Sequence, residues 1–366
     1  MNDEWLIYRG VGEPHDGIDA LPDPPPWRDF DGAPVDEPED PEAPGGSPAA
    51  GAAGAAGAAG AAGAAGAAGA ADGAIARRLG AHRQAAELHR PEPEELEAIN
   101  AALYLRRPLL VTGFPGTGKS TLAHAVAHEL KLGRVLRWPV VSRTVLQDGL
   151  YRYDALARLQ DVQIAASGGG RDGGPGGVPG IGKYIRLGPL GTALLPTARP
   201  RVLLIDELDK SDIDLPNDLL NVLEEGEFAL PELERVADTE PEVRVLTDDG
   251  AKVTVRGGRV RCRAFPFIVL TSNGERDFPA ALLRRCIQLK LGQPGEKRLA
   301  TMVRAHLGEE AARSGADLIR EFLSRSQSEL VAADQLLNAV YLTHYAAPPT
   351  REDLADLLIQ RLDRPR

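Results

Sequence analysis

The chain is poor in cysteine, with only Cys262 and Cys286 among 366 residues. Two cysteines at that spacing form neither a disulfide framework nor a metal-ligand pattern. They read as packed thiols of a reducing compartment. Long apolar runs are also missing, and no stretch approaches the ~18 apolar residues of a membrane span. The opening Met1-Asn2-Asp3-Glu4-Trp5 lacks the basic region and apolar stretch of a signal peptide. These absences point to a cytoplasmic protein with no membrane partner. A basic excess is missing as well. Residues 1–50 hold 13 carboxylates against two arginines, which accounts for the whole formal net charge of -11. Residues 51–366 hold 40 basic and 40 acidic residues, so nucleic acid as a partner has no global electrostatic support. A zinc motif is missing too. His124 and His128 share a helix face, but the segment His124-Ala125-Val126-Ala127-His128 lacks the glutamate of H-E-x-x-H and a third ligand. No Ser-His-Asp or Cys-His arrangement has supporting context.

What is present is a phosphate-binding pattern. Gly113-Phe114-Pro115-Gly116-Thr117-Gly118-Lys119-Ser120 satisfies G-x-x-x-x-G-K-[ST]. It lies between the apolar run Leu109-Leu110-Val111 and a helical pattern opening at Thr121. Strand, glycine turn and helix are the order that a polyphosphate cradle requires. Gly113, Pro115, Gly116, Thr117, Gly118, Lys119, Ser120 and Thr121 are the expected nucleotide contacts. Glycines let the backbone curl so that its N–H groups face the phosphates, and the helix start adds further unpaired N–H groups. Lys119 can reach the β/γ-phosphates, and the Ser120 hydroxyl can ligate magnesium.

Two further apolar runs end on polar residues. Val202-Leu203-Leu204-Ile205 closes on Asp206-Glu207, and Phe267-Ile268-Val269-Leu270-Thr271-Ser272 closes on Asn273. Runs of this kind read as buried parallel strands, beyond whose carboxyl ends ligands bind. Asp206 there suits magnesium, usually through water. Glu207 suits the base for an attacking water. Asn273 can bond that water or the γ-phosphate, and Asn273-Gly274 also reads as a turn.

These strands in this order resemble the AAA+ ATPases, and further segments resemble the MoxR branch over about residues 90–345. They are Ile185-Arg186-Leu187-Gly188-Pro189-Leu190, Asp218-Leu219-Leu220-Asn221-Val222-Leu223-Glu224-Glu225-Gly226 and Phe278-Pro279-Ala280-Ala281-Leu282-Leu283-Arg284-Arg285. The resemblance implies an α/β P-loop core with a parallel sheet flanked by helices, followed by a small all-helical lid. It implies ATP and Mg2+ as ligands and hydrolysis of ATP. It implies a ring of copies, a hexamer, acting on a protein client, with a von Willebrand factor A-type protein as the partner suggested by analogy. It makes Arg285, with Arg284 as second choice, the arginine finger that reaches a neighbour's site. It also implies a lid arginine near residue 334, where this chain has Asp334. Two other readings stay open: a nucleotide-controlled switch or scaffold with negligible turnover, and a DNA-acting AAA+ machine.

Along the chain, residues 1–48 are acidic and proline-rich and read as a disordered tail, with a docking peptide anchored by aromatics as the sharper alternative. Residues 49–74 read as a flexible Gly-Ala-Ala tether, 75–292 as the ATPase core and 293–366 as the lid. Within the core, residues 151–160 read as a helix. The glycine-rich residues 168–182 read as an insertion that either faces a client or is merely tolerated at the surface. Residues 243–256 read as a β-hairpin with a glycine turn, and 259–263 as a further strand. Lid helices are expected over 297–307, 311–323, 332–345 and 351–362.

Overall fold

The computed structural model describes residues 5–32, 89–166, 179–326 and 333–345. The tether and the helix expected over 351–362 lie outside these residues, as do residues 75–88 of the core and most of the glycine-rich insertion.

Helix α1 (Pro93–Leu105) starts at a proline, whose missing N–H costs nothing at a helix start, and leads into β1 (Leu109–Thr112). After the glycine loop come α2 (Lys119–Glu129), β2 (Leu136–Pro139), α3 (Leu146–Leu150), β3 (Tyr151–Tyr153) and α4 (Ala155–Ala166). Next are β4 (Ile185–Leu187), α5 (Pro189–Ala193), β5 (Val202–Asp206) and α6 (Asp214–Glu225). The chain continues through β6 (Glu227–Ala229), α7 (Pro231–Glu234), β7 (Glu242–Leu246), β8 (Lys252–Arg256) and β9 (Arg259–Arg261). It then enters β10 (Phe267–Ser272), α8 (Ala280–Arg285) and β11 (Ile287–Lys290). The last elements are α9 (Glu296–Ser314), α10 (Ala316–Ser326) and α11 (Ala333–Tyr345).

The first sheet is parallel, in the order β11-β1-β10-β5-β2. Residues of β1 alternate between two cores. Leu109 and Val111 face one with Ile99, Leu122, Val126 and Val269, while Leu110 faces the other with Trp138, Ile205, Ile268 and Leu270. That period of two, with both faces covered by apolar residues, is why these strands read as continuous hydrophobic runs. The register aligns Thr112 with Ser272 and Leu270 with Ile205, so β1, β10 and β5 end at one edge.

The second sheet has the order β3-β4-β7-β8-β9-β6. The expected hairpin is present as the antiparallel pair β7 and β8. Val243, Val245, Val253 and Val255 are buried, while Arg244 and Arg256 are exposed. The helix expected over 151–160 is corrected: Tyr151–Tyr153 pairs antiparallel with β4, and only Ala155–Ala166 is helical. The switch occurs at Asp154, whose Oδ1 accepts the Ala157 N–H at 2.8 Å and caps the helix start.

Residues 5–32 pack against the body, in place of the unstructured tail expected there. Ile7, Tyr8, Ile18 and Phe30 are buried. Asn100 Oδ1 accepts the N–H groups of Ile7 and Tyr8 at 2.8 and 2.9 Å, and its Nδ2 donates to Tyr8 O at 2.8 Å. Buried Glu129 accepts the N–H groups of Arg9, Gly10 and Gly12. Arg28 lies buried against the Phe30 and Phe265 rings, which stack on each other, and donates to the carbonyls of Arg106, Leu223 and Glu224. The last two carbonyls lie at the α6 C-terminus, so a cation caps unpaired acceptors. Gly226 follows with φ 64°, and a Cβ there would lie 2.6 Å from the Phe30 ring. Only glycine satisfies both demands. Trp27 is exposed, so the anchoring falls to its neighbours Arg28 and Phe30.

The described C-terminal part is helical and has its own core of Leu299, Val303, Ile319, Phe322, Leu336 and Val340. Gly308 (φ 88°, ψ 173°) breaks α9 in the gap between the helices expected over 297–307 and 311–323, and Gly315 interrupts the second of these by separating α9 from α10.

Candidate nucleotide site

Three strand ends build the site. The β1 end opens the glycine loop, in which Gly113 N donates to Ser272 O of β10 at 3.3 Å. Gly118 has φ +88°, a left-handed value that turns the backbone into α2. Lys119 then stands at the first position of α2, where the helix dipole and unpaired N–H groups favour an anion.

Lys119 Nζ donates to Gly113 O at 2.8 Å, to Phe114 O at 2.9 Å and to Asn273 Oδ1 at 2.7 Å. Burial lowers its ammonium from the ordinary lysine value, and Asp209, Asp206 and Glu207 push back by attraction. A polyphosphate here brings further negative charge to a partly desolvated cation.

Ser120 Oγ donates to Asp206 Oδ1 at 2.8 Å. Both residues expected at the metal therefore present adjacent oxygens. Among the described residues no cluster of three His, Cys, Asp or Glu side chains forms a metal cage. One hydroxyl and one carboxylate, with phosphate oxygens and water completing the shell, suit magnesium. The donor set fits Mg2+ carried by a nucleotide.

Glu207 follows Asp206 in the left-handed region, with φ 61° and ψ 47°. For a non-glycine residue this conformation is uncommon and often marks a functional turn. It is held by Thr271 Oγ1, which accepts the Glu207 N–H at 2.9 Å and donates to Asp206 Oδ1 at 2.8 Å. The Glu207 carboxylate pairs with Lys210 Nζ at 2.7 Å.

Asn273 sits at the end of β10. Its N–H donates to Asp209 Oδ2 at 2.9 Å, and the Glu275 N–H donates to the same oxygen at 3.1 Å. The turn role and the site role of Asn273 thus coexist. Three contributors escaped the sequence reading: Thr271, buried Asp209, and Arg137, whose Nη2 lies 3.2 Å from Asp206 Oδ2. Thr271 carried a signal, as a hydroxyl one strand away from the Asp-Glu pair. Asp209 and Arg137 carried none.

The structure brings Lys119, Ser120, Asp206 and Asn273 together. Arg284 and Arg285 stand elsewhere, on α8. Arg285 Nε pairs with Glu224 Oε1 at 2.6 Å, and Arg284 O accepts Arg107 Nη1 at 2.9 Å. Neither arginine is bonded to the glycine loop or to Asp206 of its own chain.

Residues 108–286 match a family described as an AAA domain of the dynein-related subfamily. The parallel sheet flanked by helices, with helices following it, is the AAA+ fold, and the domain implies nucleotide binding and, in general, ATP hydrolysis. A solved structure of the Thermotoga maritima RuvB Holliday junction branch migration motor is similar at 16% identity and a TM-score of 0.34. That match covers 72% of this chain and 66% of the other, so the chain spans just under two thirds of that relative. No curated protein matches the sequence. Among the described residues no helix is long and apolar enough to cross a membrane.

Proposed function

We propose that the chain is an ATP-hydrolysing motor of the MoxR branch that remodels or activates a protein partner. The observation that carries this reading is the convergence of Lys119, Ser120, Asp206 and Asn273 at the ends of three adjacent strands. Lys119 and the N–H groups of the glycine loop hold the phosphates. Ser120 and Asp206 would hold magnesium, which would supply positive charge to neutralise the phosphate oxygens. Glu207 leaves Lys210 and takes the proton of the attacking water at its carboxylate. Asn273 orients that water or the γ-phosphate. Arg285, or Arg284, completes the site of the next copy in a hexameric ring. A cytoplasmic location and a protein client, with a von Willebrand factor A-type partner as the analogue, are part of this reading.

Glu207→Gln tests it. The variant should bind ATP as the parent does and lose about 10²-fold or more in turnover at concentrations that assemble rings. An unchanged rate would remove Glu207 from its role.

A second reading is a nucleotide-controlled switch with negligible turnover. The Glu207–Lys210 and Arg137–Asp206 pairs favour it, because both occupy carboxylates that hydrolysis needs. Parental turnover near zero in assembled rings would select it.

A further inference from the structure

The lid reaches the glycine loop through a residue that no motif marks. Arg298 lies in the first turn of α9. Its Nη1 bonds Glu95 Oε1, and its Nη2 donates to Thr117 O at 3.3 Å. Glu95 is 4% exposed and belongs to the first turn of α1, and its other oxygen lies 3.6 Å from buried His89 Nε2. Burial pushes the Glu95 carboxyl up, but His89 and Arg298 outweigh this and hold it below the usual range. Glu95 therefore stays ionised and fixes one side of the guanidinium. The other side is spent on the carbonyl of the 117–118 peptide.

That peptide matters because it is planar and trans. With Thr117 C=O turned outward to Arg298, the Gly118 N–H points the opposite way, into the loop. We infer that Arg298, braced by Glu95, is a positioning residue that ties the lid to the glycine loop and aims the Gly118 N–H at a bound phosphate. The inference rests on the nucleotide reading above and deepens it. It also supplies a lid arginine where the late lid helix has Asp334 instead. The contact differs in kind from an arginine on the γ-phosphate, because the guanidinium acts through a backbone carbonyl.

The test uses the full chain with Mg-ADP as the probe, and hydrogen exchange of residues 113–120 without nucleotide as the second readout. Arg298→Ala should weaken ADP about 10-fold, the loss of one charge-assisted bond. It should also speed exchange at Gly118 in the nucleotide-free protein. Arg298→Lys keeps the charge but not the planar fork that spans Glu95 and Thr117, so it should not restore either readout. It also carries the test should the alanine variant fail to fold. Parental affinity and parental exchange in both variants would overturn the inference. Lys119→Ala run beside them separates the two levels. If Lys119→Ala abolishes ADP binding while both Arg298 variants keep parental affinity and parental exchange, only this inference fails. If Lys119→Ala binds ADP like the parent, the nucleotide reading fails, and the exchange readout still decides whether Arg298 sets the loop.

Discussion

Lys119 Nζ stands 2.7 Å from Asn273 Oδ1, across a sequence separation of 154 residues. The contact joins the first residue of α2, just after the glycine loop, to the residue that follows β10. Asn273 cannot drift, because its own N–H is held by buried Asp209. An amide oxygen that holds the lysine before a nucleotide arrives must give way when phosphate takes the lysine. The same side chain is then free to meet the attacking water.

Asn273→Ala should therefore lower turnover more than it weakens ATP. The expected loss in kcat is about 10²-fold with KM changed less than about threefold, as for removal of one preorganised polar group. Steady-state kinetics checks it. A large rise in KM with unchanged kcat would make Asn273 a binding residue only.

The N-terminal strap should be a stabilising part of the body. Arg28→Ala removes a guanidinium that serves three carbonyls and two rings, and leaves those carbonyls buried. The expected cost is about 3 kcal/mol of unfolding free energy. Urea denaturation measures it, and limited proteolysis should cut the variant within residues 5–32 first. Trp27→Ala, at an exposed position, should be near neutral.

The two thiols report the packing. Burial pushes both Cys262 and Cys286 up to about 12 from an ordinary 9.0. The thiolate is the reactive form, so the folded protein should not react with a thiol reagent at pH 8, and the denatured chain should react at both positions. Because the folded values are raised, the stability these thiols contribute is full below pH 9 and is lost as pH rises towards 12. A folded sample that titrates quickly at pH 8 would contradict the packing.

The parts legible in sequence were those whose chemistry is local. The glycine loop spells its own turn, and Asp206 and Asn273 follow apolar runs that can only be buried strands. The hairpin of β7 and β8 shows in the alternation of valine with arginine. What was hidden depends on partners far along the chain. Arg28 looks like a charge in a proline-rich tail until the α6 carbonyls are placed beside it. Glu129 looks like an exposed helix end until three N–H groups of the strap meet it. Arg298 looks like an ordinary lid charge until Glu95 and Thr117 flank it. Tyr151–Tyr153 reads as helix in sequence because three residues are too few to show a period, and only pairing with β4 makes them a strand.

The central claim is that three strand ends converge on one nucleotide. The direct measurement is ATP affinity of the full chain with Lys119 replaced by alanine, beside circular dichroism to verify folding. The expected result is a folded variant whose affinity falls at least ~10-fold, since a charge-assisted contact to phosphate is lost. A folded Lys119→Ala protein that takes up ATP as tightly as the parent would contradict it.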